Sequence, residues 1–225
     1  MNSTAKVTRA PIGIRHELSL LKLKPEFFEL SLSYAEANRA ACSGNDPRIF
    51  HGITAWARAI RKLREILRKQ GWGTANESNF ELVISPDKTF AISVATGDRE
   101  TGKYNPPYEP RLRNPKGLMY RLAINVNAWL FEDMANDARR KTARLLEAQK
   151  RILWIFLMHR EGDIVYSELS LPRKFSNGHI DGWKHRIILP PFDAPPLNDG
   201  FDDSDDGSDD GSDAQEFEVE VVRRS

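Results

Sequence analysis

The residues of this chain with the most chemical potential lie between Thr96 and Arg121. Thr96-Gly97-Asp98-Arg99-Glu100-Thr101-Gly102-Lys103 follows an alternating apolar segment. Two glycines and a lysine in that position can cradle a phosphate, because backbone N–H groups approach the anion while an ammonium adds charge. On that reading Gly97, Gly102 and Lys103 hold a phosphorylated substrate, and Asp98 or Glu100 acts as base. A second Gly-Lys-Ser/Thr element is missing and two acids sit inside the loop, so a plain cluster of turns is the stronger reading. The longer segment carries Arg99, Lys103, Arg111, Arg113, Lys116 and Arg121, interleaved with Tyr104, Tyr108 and Tyr120. Cations for phosphates and rings for stacking are what a surface for single-stranded nucleic acid uses. The same composition also suits a loop that packs its tyrosines and prolines on the body and leaves its charges in water.

Other candidates are weaker. Arg58, Arg61 and Lys62, with Arg68 and Lys69, line one side of a helical segment and could follow a phosphate backbone; a solvated helix face explains them as well. His16, His51, His159, His179 and His185 are scattered. His159 shares a turn with Glu161 and Asp163, and His179 and His185 flank Asp181, but neither group has a second cluster to complete a site, so no metal is expected. Asp202-x-Ser204-x-Asp206-Gly207, ending at Asp213, echoes a calcium loop without its bidentate glutamate or flanking helices. No Walker-type loop, nucleotide-binding glycine fingerprint, serine elbow or zinc-spaced histidine pair is present. The balance favours a protein without catalysis, and no cofactor is implied.

The elements that must carry these residues follow from periodicity. A helix is predicted from Pro25 to about Ala41, proline suiting the first turn. A second helix has Ile53, Trp56, Ile60, Leu63 and Leu67 as one apolar stripe and ends at Gly71-Trp72-Gly73. Phe80, Leu82 and Ile84, the turn Ser85-Pro86-Asp87-Lys88, and Phe90, Ile92 and Val94 read as a hairpin. Thr96 to Gly117 reads as a long loop, a kind that is often functional. Helical spacing returns at Met119, Leu122, Val126, Trp129 and Leu130 and again after Ala138. A second hairpin pairs Ile152–Met158 with Ile164–Leu171, and Ile187-Ile188-Leu189 adds a strand. The expected fold is α+β: an antiparallel sheet of about five strands, built from two hairpins plus one strand, with helices packed on it. One domain is expected over residues 1–195, followed by a disordered acidic tail over 196–225.

Charge divides along the same line. From Pro196 to Ser225 there are eleven acidic and two basic residues, a net of −9, which leaves +10 for the rest of a chain whose net charge is +1. A basic body suggests a polyanionic partner, and an acidic tail can compete with that partner, mimic it, or keep the protein in solution. Within the tail, Phe217, Val219 and Val221 alternate with Glu216, Glu218 and Glu220, a strand-like amphipathic peptide on a tether. No apolar run reaches the ~18 residues of a membrane span, and no secretory signal opens the chain. Cys42 is the only cysteine, which excludes an internal disulfide. The expectation is a soluble cytoplasmic protein with no membrane partner.

Two further blocks carry a resemblance. Ala95-Thr96-Gly97-Asp98 through Thr101-Gly102 to Pro115-Lys116-Gly117 is one. Glu168-Leu169-Ser170-Leu171-Pro172, followed by Gly182-Trp183 and Arg186-Ile187-Ile188-Leu189-Pro190, is the other. Across residues 79–191 the chain is similar to uncharacterised proteins carried by phages, plasmids and integrative elements. The resemblance implies a context of host takeover, DNA maintenance or defence evasion, and no activity or site residue. The leading expectation is therefore a non-enzymatic mobile-element protein that engages single-stranded nucleic acid or a nucleic-acid-handling host protein, as a defence inhibitor would. An enzyme acting on a phosphorylated substrate through the 96–103 loop is one alternative. A scaffold that docks another protein through its C-terminal peptide is the other.

Overall fold

A computed structural model describes residues 5–77, 80–105, 108–114, 120–121, 123–124, 151–176 and 179–197. In chain order its elements are β1 (Lys6–Thr8), α1 (Pro11–Leu20), α2 (Pro25–Ala40), α3 (Arg48–Arg68), β2 (Gly73–Glu77), β3 (Phe80–Ile84) and β4 (Phe90–Thr96). They continue with β5 (Ile152–Glu161), β6 (Ile164–Pro172), β7 (Phe175–Ser176), β8 (His179–Ile180), β9 (Trp183–Ile188) and β10 (Phe192–Asp193).

Local chemistry explains the turns. Proline opens both α1 and α2, where its missing N–H costs nothing. Between β3 and β4, the Asp87 carboxylate accepts from Ser85 Oγ at 2.7 Å, Thr89 Oγ1 at 2.8 Å and Thr89 N–H at 3.1 Å. Those donors hold the Asp87 carboxyl well below the usual carboxylate range. Between β5 and β6 the turn is only Gly162-Asp163, with Gly162 at φ 58°.

The α+β class is as expected, but the sheet is larger and mixed. Eight strands join in the order β1-β9-β6-β5-β4-β3-β2, with β10 also pairing β6; β7 and β8 form a separate pair. Two neighbouring pairs are parallel, β4 with β5 and β1 with β9. The expectation of about five antiparallel strands fails because alternation reports each hairpin and not how hairpins lie side by side. Joining parallel neighbours takes a long crossover, and the chain between Thr96 and Ile152 is that connection. β1, α1 and β2 have no periodic signature to announce them.

The sheet has two apolar faces. On the first, Ile92 and Val94 of β4, Phe156 of β5, and Leu169 and Val165 of β6 pack against α1, α2 and α3 through Leu18, Phe28, Leu32, Ala59 and Leu63. On the second, Ala91 and Ala95, Leu153, Ile155 and Leu157 pack with Leu112, Tyr120, Ile124, Phe175 and Trp183. The buried side of α3 is Ala55, Ala59, Ile60, Leu63 and Leu67, with His51. Ile53, expected in that stripe, is exposed, and Trp56 is half-buried with its Nε1–H donating to the Val94 carbonyl at 3.0 Å. No helix among the described residues is long and apolar enough to cross a membrane.

Candidate nucleic-acid interface

The loop after β4 closes on itself. Gly97 bridges Leu112, Asp98 N–H donates to the Arg111 carbonyl at 3.0 Å, and Arg113 N–H donates to the Thr96 carbonyl at 3.0 Å. The excursion between them has its two ends touching, the geometry of an Ω-loop. Inside it the Asp98 carboxylate accepts from Glu100 N–H at 3.1 Å, and Tyr108 N–H donates to the Asn105 carbonyl at 2.8 Å.

A buried ion pair fastens this loop to the second face of the sheet. Glu168 on β6 is 0 % exposed and Arg186 on β9 is 2 % exposed. Arg186 Nη2 lies 2.6 Å from Glu168 Oε2, and Arg186 Nε lies 3.0 Å from Oε1. Fork-to-fork pairing of this kind is the strong form of the arginine–carboxylate contact. The spare capacity of both groups goes to the loop. Arg186 Nη2 also donates to the carbonyls of Lys103 at 2.9 Å and Glu100 at 3.5 Å, while Gly102 N–H donates to Glu168 Oε2 at 2.9 Å. Ser170 Oγ completes the carboxylate's shell at 2.7 Å. Further along, Trp183 Nε1–H donates to the Pro110 carbonyl at 2.9 Å.

Glycine is required at Gly102 for two reasons. Its φ is +69°, and a Cβ there would stand 2.7 Å from Ser167 N and 3.0 Å from Tyr166 Cβ. The loop backbone therefore lies directly on β6. The anion held by its amide is the protein's own Glu168 carboxylate, and the Lys103 ammonium is paired with Glu161 and lies 4.7 Å from the centre of the Tyr166 ring. That ammonium holds the Glu161 carboxyl below its usual range. The groups that a phosphate cradle would need already have internal partners.

What the pinned loop presents outward is rings and guanidiniums. Tyr104 is 52 % and Tyr108 61 % exposed, and Arg99, Arg111 and Arg113 are exposed as well. The Arg9 guanidinium stacks 4.6 Å from the Tyr104 ring centre, joining the loop to the chain just after β1. Arg121 is helical and exposed, and Lys116 lies outside the described residues. Tyr120 departs from the expectation of a stacking platform. It is buried in the second cluster, edge-on to Phe80 and hydrogen-bonded to Ser93, and burial pushes its phenol up to about 12.

The other basic segment stands apart. α3 packs on the first face and the loop is fastened over the second, so the two do not make one patch. Arg61 pairs with Glu65 at 2.8 Å, Lys62 lies 5.3 Å from the Tyr34 ring centre, and Arg58 is half-buried. The histidines do not converge either. His159 sits at the second face and His185 beside Trp154 on the first, and burial lowers both imidazoles. Among the described residues no group of three or more His, Cys, Asp or Glu stands close enough to share a metal ion.

The residues that organise the site, Glu168 and Arg186, are not among those the sequence singles out. A signal exists for one of them: Glu168 is the only charged residue of β6, in Ser-Glu-Leu-Ser-Leu, whereas Arg186 follows Lys184 and His185 on β9 and does not stand out. Comparison with family models, curated proteins and solved structures finds no match to the chain.

Proposed function

We propose that this chain is a non-catalytic nucleic-acid-binding protein of a mobile element, and that single-stranded DNA or RNA lies along its 98–113 loop. The observation that carries the reading is the pairing of exposed Tyr104 and Tyr108 with exposed Arg99, Arg111 and Arg113 on a loop whose backbone is locked by Glu168 and Arg186. Stacking on an exposed ring is sequence-tolerant, because every base has a π-face. The mobile-element context comes from the sequence resemblance. The reading as an enzyme on a phosphorylated substrate loses support, since Gly102 N–H and Lys103 are engaged within the protein.

Anisotropy of a labelled oligonucleotide across a salt series tests the reading with the full chain. Arg111→Ala/Arg113→Ala should flatten the salt slope by about one for each phosphate that no longer has a cation. Tyr104→Ala and Tyr108→Ala should each weaken binding by about 1–3 kcal/mol with little change in slope. Absence of binding at low salt refutes it. The acidic tail, as a nucleic-acid mimic aimed at a host protein, then becomes the leading reading.

A further inference from the structure

A groove of ≈ 530 Å³ runs between α3 and the edge strand β2, lined by Trp56, Ile60, Arg61, Arg68, Thr74 and Asn76. Its lining carries three arginines, Arg61, Arg64 and Arg68, against Glu65 and Glu81. Arg64 is committed to the floor: it donates to the carbonyls of Ala75 and Leu82 and pairs with Glu81 at 2.7 Å. Arg61 and Arg68 are exposed at the rim, where Arg61 also pairs with Glu65 at 2.8 Å. Among the described residues β2 pairs only with β3, and none pairs with the backbone donors and acceptors along its outer edge. Gly-Thr-Ala-Asn-Glu carries none of the lysine or proline that commonly blunts such an edge.

We infer that this edge receives the chain's own C-terminal segment, residues 216–222, as an added strand. Side chains of a strand alternate between faces, and the two faces at β2 differ in kind. Thr74 and Asn76 point to the arginine groove, while Ala75 packs with the second apolar cluster beside Phe80 and Leu82. Glu216, Glu218 and Glu220 alternate with Phe217, Val219 and Val221 at the same period. One face of the added strand sets carboxylates toward Arg61 and Arg68. The other sets apolar side chains next to Ala75. Main-chain hydrogen bonds supply affinity and the alternation supplies register, as in strand addition generally. Arg223 and Arg224 fall beyond the paired stretch.

The tether reaches. The described chain ends at Leu197, shortly after β10, which lies along β6. From β10, on the far side of β6 from β5, to a strand added outside β2 the sheet crosses six strand spacings, roughly 29 Å at ~4.8 Å each. The residues between Leu197 and Glu216 span roughly 60 Å when extended. The acidic run Asp202–Asp213 is then brought past the basic outer side of α3. The docking does not depend on nucleic-acid binding, and it is tested with no nucleic acid present.

Hydrogen exchange on the full chain decides the matter. Amides of 73–77 and of 216–222 should exchange more slowly in the parent than in Phe217→Ser/Val219→Ser/Val221→Ser by at least about tenfold, the scale of a modest local closing equilibrium. Arg61→Glu/Arg68→Glu should release both segments, and adding Glu216→Lys/Glu218→Lys/Glu220→Lys to that variant should restore protection. Protection should be independent of protein concentration. Fast exchange of 216–222 in the parent overturns the inference, as does protection of that segment with none at 73–77. Protection that grows with concentration assigns the edge to a second copy and equally overturns docking within one chain.

Discussion

Arg186→Met tests what holds the loop. The substitution removes one partner of a pair that is buried on both sides, leaving Glu168 with only Gly102 N–H and Ser170 Oγ in a site closed to solvent. Breaking a buried pair from one side costs about 3–5 kcal/mol, because a charge is left without compensation. A domain of this size has about twice that in total stability. The Glu100 and Lys103 carbonyls lose a donor in the same step. Glu168→Leu/Arg186→Met removes both charges and should lie within about 2 kcal/mol of the parent, since an apolar pair often replaces a buried ion pair at little cost. Its loop, however, is left without the side-chain anchors that Glu168 and Arg186 supply from β6 and β9. Urea melts followed by tryptophan fluorescence read the first effect, and hydrogen exchange over 99–104 reads the second. The expected pattern is a costly single variant, a near-neutral double variant, and fast loop exchange in both. A single variant costing under about 1 kcal/mol, or a double variant costing the sum of the two singles, refutes the reasoning, because either outcome means the groups are uncoupled.

Three single sites give smaller effects. Trp56→Ala should cost about 2–3 kcal/mol in urea melts, less than the about 3–5 kcal/mol of a fully buried tryptophan, because the ring is half-buried and its one hydrogen bond goes to Val94. Gly102→Ala should destabilise by more than about 1 kcal/mol and expose 99–104 to exchange, since the new Cβ meets Ser167 N at an unfavourable φ. Asp87, whose folded carboxyl is held low, stabilises fully above the unfolded value near ~4 and loses that contribution as pH falls toward the folded one. The gap in urea midpoint between parent and Asp87→Asn should accordingly be constant from neutral pH down to about 5 and shrink below about 4.

The parts of the fold that are readable in the sequence are those whose code is local. Pro25 marks the start of α2, the alternations around Ser85–Thr89 and Gly162-Asp163 mark the two hairpins, and Gly71 ends α3. Sheet order is not local. Nothing in Phe90–Thr96 or Ile152–Glu161 says that these strands lie parallel side by side, which depends on the crossover between them. The buried stripe of α3 keeps Ile60, Leu63 and Leu67 of the expected one and widens toward small Ala55 and Ala59, where Ser31 Oγ of α2 donates to the Ala59 carbonyl at 2.8 Å, while Ile53 turns outward. The basic-aromatic loop is visible as composition. Its fastening is not, because Glu168 and Arg186 become partners only when β6 and β9 pair, with Leu169 opposite Ile187 and Ser170 opposite Arg186.

That fastening bears on how the loop can work. A free loop of this length gives up backbone entropy of about 1–2 kcal/mol per residue when it is ordered by a ligand. Here much of the ordering is done during folding, by two charges that most cores exclude and by a glycine whose amide faces one of them. Carboxylate and guanidinium sit inside so that tyrosines and arginines can be held outside in fixed positions. An anion cradle would need the reverse arrangement, with the Gly102 amide and Lys103 turned toward solvent. The orientation of those two groups, more than the composition of the segment, favours a loop that binds through its exposed rings and guanidiniums over one that binds through its glycines.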